Sequence, residues 1–116
     1  MMQVIRCEHP EGLRTLYGLQ NIEHPSGDDD DDASCLWHDL PTPYADGRYY
    51  IRDDEVCAAL PDRLESWFPA WVRPLLREQG FRFVTLEVPE QALCHVGQYQ
   101  VVIKRELCVE RGEYLQ

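Results

Sequence analysis

Between Thr15 and Gly47 the chain has neither lysine nor arginine. The same span holds Glu23, Asp28, Asp29, Asp30, Asp31, Asp32, Asp39 and Asp46. These acids supply −8 of the net −10, and the remaining residues carry 13 acids against 11 bases. The charge therefore belongs to one segment of an otherwise nearly neutral chain. A field of that sign repels a phosphate backbone, which excludes direct nucleic-acid contact by this segment. It attracts a basic protein surface or a cation.

Other absences narrow the function classes. No apolar run approaches the ~20 residues that cross a bilayer. The opening MMQVIRCEHP lacks the basic start and apolar middle of a signal peptide, which predicts a cytoplasmic protein. The five cysteines (Cys7, Cys35, Cys57, Cys94, Cys108) include no CxxC pair, so reduced thiols are expected rather than a disulfide framework. There is no G-x-S-x-G elbow and no phosphate-binding glycine loop. His24, the Asp run, Cys35 and His38 lie close in sequence, but their spacing matches neither a zinc pattern nor a calcium loop. The sequence thus predicts no metal, no cofactor and no catalytic residue.

What is present is a folding nucleus. Leu64, Trp67, Phe68, Trp71, Val72, Leu75 and Leu76 recur at helical spacing and form one apolar face, with Arg63 and Arg77 off it. Pro69 predicts a break, giving a short helix over 63–68 and a second over 69–79 with Pro74 near its first turn. Gly80 suits the end of that helix, and Phe81 to Val88 reads as a strand buried on both faces. Met2 to Glu8 reads as the first strand and Tyr99 to Lys104 as a later one. Leu13 to Leu19 fits a short helix or a folded loop. Arg48 to Arg52 has strand composition, and Asp53 or Asp54 is expected to cap a helical turn through Val56–Ala59. Pro25, Ser26, Gly27 and the Asp run offer little apolar area to offset ordering entropy, which predicts a mobile acidic loop at about 21–34. The expected fold is a single α+β domain over 1–116. Its sheet is mixed and mostly antiparallel, with a broken amphipathic helix on one face.

The candidate partner-binding residues are Asp28, Asp29, Asp30, Asp31, Asp32, Asp39 and Asp46, with Trp37, Tyr44 and Tyr49 as an aromatic patch beside them. Cys94 and His95 are adjacent, so on a strand they point to opposite faces and form no thiolate–imidazole couple. Gln100, inside an apolar strand, is a candidate buried amide.

Arg6 to Pro10 (RCEHP), Leu64 to Phe68 (LxxWF), Gly80-Phe81, Glu87 to Pro89 (EVP) and Gly97 to Val102 (GxxQVV) together resemble a group of small uncharacterised phage and prophage proteins. That resemblance implies an accessory protein in a bacterial host cell, with a basic, nucleic-acid-binding host defence protein as the expected partner that it inhibits. The order of elements also resembles ADP-ribosyltransferase-type domains, in which a first-strand arginine contacts NAD and a late-strand glutamate drives transfer. On that resemblance Arg6 and Gln100 would be the nucleotide-contacting residues. Gln100 stands where the acid is wanted, and an amide carries no charge to stabilise an oxocarbenium-like transition state.

Overall fold

The computed structural model describes residues 1–23, 33, 40–47 and 50–116. Its centre is a six-stranded sheet of order β4-β5-β2-β1-β3-β6, and every described pairing is antiparallel. The strands are β1 Met2–Glu8, β2 Val56–Ala59, β3 Arg82–Val88, β4 Leu93–Val96, β5 Gln100–Ile103 and β6 Val109–Glu113. The helices are α1 Thr15–Gln20, α2 Leu64–Trp67 and α3 Arg73–Glu78. This is an α+β fold, as the sequence predicts.

β1 alternates apolar residues to both faces, so it can sit inside the sheet rather than at its edge. It pairs along its whole length with β3, from Met2↔Val88 to Glu8↔Arg82. Ile5, Cys7, Phe83 and Ala59 face a cluster completed by Leu64, Phe68, Val72 and Leu76. Val4, Val84, Leu86, Val88, Val101 and Ile103 face the opposite way and pack with Ala92. Each fully buried side chain of this size contributes about 1.5–3 kcal/mol of transfer free energy.

The helical face is narrower than its seven apolar positions suggest. Leu64, Phe68, Val72 and Leu76, four residues apart, are buried, whereas Trp67, Trp71 and Leu75 are half-buried flanks. The break falls between Trp67 and Arg73. Pro74 sits in the first turn of α3, where its missing donor costs no helical hydrogen bond. Gly80, at φ +93°, closes α3: Phe81 N donates to Leu76 O at 3.1 Å and Gly80 N to Arg77 O at 3.0 Å. These two bonds are a Schellman closure, and the Phe81–Leu76 core contact completes it.

Two local expectations need correction. Val56–Ala59 is not a helical turn but β2, held between β1 and β5 by Ile5↔Ala59 and by Val56↔Ile103 through Ala59↔Gln100. Tertiary pairing overrides the helical leaning of its alanines. Tyr50, Ile51 and Arg52 have strand composition but lie outside any strand, and all three are exposed. Leu13–Leu19 resolves as α1, displaced to Thr15–Gln20. Most of the expected loop at 21–34 lies outside the described residues. Its two described flanks are pinned: Ile22 and Ala33 are buried in the core, and Ala33 N donates to Ile22 O at 2.9 Å.

Candidate functional site

On the face of Ile5 and Gln100, β2 presents the small side chains of Cys57 and Ala59, while Ala58 packs on the other face. In front of them, α2 and the Leu40–Pro43 stretch stand off from the sheet. The space between is a cavity of about 340 Å³. Trp67, Phe68, Ile5 and Pro41 give it a mainly apolar wall, and Trp67 is fixed by its Nε1, which donates to Tyr99 O at 3.0 Å.

Arg6 and Gln100 both line this cavity. They come from β1 and β5, on either side of β2; by register Gln100 shares the face of Ala59 and Ile5, whereas Arg6 alternates with Ile5 and reaches Cys57 O. Both are already engaged. Arg6 Nε donates to Glu8 Oε2 at 2.9 Å and Nη1 to Cys57 O at 3.1 Å, which ties β1 to β2 beyond their Ile5↔Ala59 pair. Glu8 also accepts Arg105 Nε at 2.9 Å and Nη2 at 3.1 Å. Partial burial raises the Glu8 pKa, but hydrogen bonds and charge from Arg105 and Arg6 outweigh it and hold the carboxyl below its ordinary value. Gln100 is buried, and its Nε2 donates to Pro41 O at 2.9 Å.

Two thiols complete the lining. Burial pushes the Cys7 thiol up to about 12 against a hydrogen bond from Thr15 and the charge of Arg6. Burial likewise raises Cys57, opposed by Arg6. Both are neutral thiols at physiological pH and poor nucleophiles. No carboxylate stands among the described lining residues. Among the described residues the lining has groups that hold a ligand, and no carboxylate or thiolate that moves a proton or attacks a carbon. A larger cleft of about 930 Å³ beside it shares Arg6, Cys7, Thr15 and Cys57 and adds Arg14, Glu55 and Arg82.

The acidic candidates are placed differently. Asp28 to Asp32, Trp37, Asp39 and Tyr49 lie outside the described residues, as do His24, Cys35 and His38. Tyr44 is exposed, its ring centroid 5.3 Å from that of Tyr50. Asp46 turns toward the β4–β5 connection. Its carboxylate accepts the backbone N–H groups of Gln98 at 2.8 Å, Tyr99 at 2.9 Å and Gln100 at 3.2 Å. Cys94 Sγ contacts Ala92 O while His95 Nε2 lies 3.2 Å from Asp46 O, so the adjacent pair serves different partners. Among the described residues no three His, Cys, Asp or Glu side chains cluster as metal ligands. No helix of the described chain is long and apolar enough to cross a membrane.

Sequence reasoning named Arg6 and Gln100 as candidates without placing the cavity that both line. The signal was Cys57 and Ala59, alternate small residues that mark a place where something else approaches one face of the sheet. Read as a helical turn, those residues gave no such cue.

No curated protein and no solved structure matches the chain. A family match does exist, described as Bacteriophage T4 Y00F protein, and it covers residues 2–114. The description names a phage and no activity, in keeping with the resemblance to small uncharacterised phage proteins. With nearly its whole length matched, the chain belongs to the Bacteriophage T4 Y00F protein family.

Proposed function

We propose that this phage protein is a non-enzymatic accessory protein that acts by binding a basic protein surface through its acidic segment. The observation that carries the reading is the separation of charge. The acids of residues 15–47 have no base among them, and the described ion pairs are made elsewhere. Arg6, Arg73, Arg82, Lys104, Arg105 and Arg111 pair with Glu8, Glu65, Glu110, Glu113, Asp54 and Glu87. Those cations are neutralised within the rest of the domain. The segment itself, −8 with no base within it, is the field that a basic partner would meet, and a nucleic-acid-binding host protein, such as one serving in defence, offers the complementary surface.

The test is capture from a bacterial lysate at low and high salt, with wild type and with Asp28–Asp32 changed to Ser. Basic proteins retained by wild type at low salt, released by added nucleic acid and lost by the variant, are the expected result. Equal capture by both proteins contradicts the reading.

A second reading is favoured by one observation, that Arg6 and Gln100 line a single cavity. On it the chain is a catalytically degenerate relative of ADP-ribosyltransferase-like enzymes that binds a nucleotide without transferring from it. Calorimetric titration with NAD and AMP decides: saturable binding abolished by Arg6→Gln supports it, and no heat of binding removes it.

A further inference from the structure

We infer that the cavity over β2 is a binding site for an uncharged aromatic ring carrying one N–H or O–H donor. This goes beyond the acidic-segment reading and does not depend on it. The inference rests on size, charge and hydrogen-bonding inventory.

Size comes first. At about 340 Å³ the cavity lies near the bottom of the ~300–1,000 Å³ range of small-molecule pockets, which fits one ring system better than a peptide or a whole nucleotide.

Charge comes second. Among the described residues Arg6 is the only formal charge lining the cavity, and its guanidinium is held by Glu8 and by Cys57 O. Glu8 is bound in turn by Arg105. The lining thiols are neutral. A charged ligand would lose its hydration with no free counter-charge to meet it, whereas an uncharged ring meets Trp67, Phe68 and Pro41.

The hydrogen-bonding inventory comes third. Gln100 has two amide atoms, and Nε2 is fixed on Pro41 O. One of the two Nε2 N–H groups is spent on Pro41 O, and among the described residues Oε1 accepts no bond, so the amide keeps an open acceptor. Asp46 holds the Gln100 backbone N–H, so the side chain projects from a fixed main chain. A ring N–H or O–H is the complement of that acceptor.

Ligand-observed NMR and calorimetric titration of the full chain test this with indole, toluene and benzoate as probes. Indole should bind saturably, toluene more weakly for want of a donor, and benzoate at least about tenfold more weakly for its unmatched charge. Ala59→Leu, which fills the cavity from β2, should abolish indole binding. Gln100→Leu should bring indole down to the level of toluene. If circular dichroism shows that Ala59→Leu does not fold, Gln100→Leu carries the test alone, because only a donor–acceptor role separates the two probes. Benzoate binding as tightly as indole, indole binding unchanged by Gln100→Leu, or no saturable binding of indole would each overturn the assignment.

Discussion

Asp46 Oδ2 accepts the backbone N–H of Tyr99 at 2.9 Å, across 53 residues of chain. With the neighbouring bonds from Gln98 and Gln100, one carboxylate satisfies three consecutive donors at the entry to β5. A residue read from sequence as part of an acidic surface thus also fixes a turn and the strand that carries Gln100. Its charge still contributes to the field of the acidic segment, while its oxygens belong to the fold.

Asp46→Ala leaves those donors without the carboxylate. Hydrogen bonds to a charged group contribute more than neutral ones, and the site is only half-buried, so water makes good part of the loss. A decrease in unfolding free energy of about 1.5–3 kcal/mol is expected from denaturant midpoints. Asp46→Asn, which keeps an acceptor, should recover part of it. A variant as stable as wild type would show that solvent replaces the carboxylate at no cost.

The burial pattern of the broken helix sets the scale of a second experiment. Its place on the apolar face predicts Trp71 as a large core aromatic, yet it is a half-buried flank while Leu76 is fully buried. Leu76→Ala should cost about 2–5 kcal/mol through lost burial and a cavity, and Trp71→Ala less than the ~3–5 kcal/mol of a buried aromatic. Arg77 also differs from a polar-face residue. Its Nη2 donates to Tyr114 O at 2.6 Å and its guanidinium lies over the Phe83 ring, 5.2 Å from the centroid. Arg77→Ala should therefore exceed the ~0.5 kcal/mol of an ordinary surface change, whereas Arg63→Ala tests only a contact with the Tyr99 ring. Urea midpoints in the order Leu76, Trp71, Arg77, Arg63 are expected, with Leu76→Ala lowest.

These elements show what the sequence made legible. β1 was read with its observed bounds, because its apolar residues alternate to two buried faces, and β3 differs by one residue at its start. The helix break and the Gly80 closure followed from proline and glycine chemistry that acts locally. β2 was lost because four small residues carry no periodicity, and only their pairing with Ile5 and Val102 makes them a strand. The cavity was lost with it. Arg6 and Gln100 could be named as candidates, but that both line one cavity depends on β2 lying between β1 and β5, which is a long-range fact. Nothing in the local sequence of Asp46 signals a bond to Tyr99.

Glu8 gives the acid limb of stability a definite sign. Its folded pKa lies below the unfolded carboxyl value of about 4.3 because the attraction of Arg105 and Arg6 exceeds the effect of burial. A depressed carboxyl contributes stability that is complete above the unfolded pKa and is lost as pH falls through the folded one. Unfolding free energy should therefore fall from about pH 5 downward, and Glu8→Gln should be less stable at pH 7 with a shallower decline. Chemical denaturation at pH 7, 5 and 3.5 measures both slopes. Parallel curves for wild type and Glu8→Gln would show that the Arg105–Glu8–Arg6 arrangement adds nothing to folding.

The acidic segment makes its own prediction about kinetics. Eight acids over some thirty residues act as a field rather than as eight well-formed ion pairs. At physiological salt the screening length is about 8 Å, so much of the long-range attraction is already damped. Steering acts on encounter. Raising the salt should slow association with a basic partner more than it hastens dissociation. Changing Asp28 to Asp32 into Ser removes five of the eight charges and should flatten that salt dependence. Because a solvated run of like charge repels itself, the same variant should fold as well as wild type, and a clear fall in its melting temperature would mean that the run is paired or metal-bound. Surface plasmon resonance at several salt concentrations separates the two rates. A partner whose affinity ignores both salt and the Asp run would move the binding surface to the aromatic patch of Trp37, Tyr44 and Tyr49.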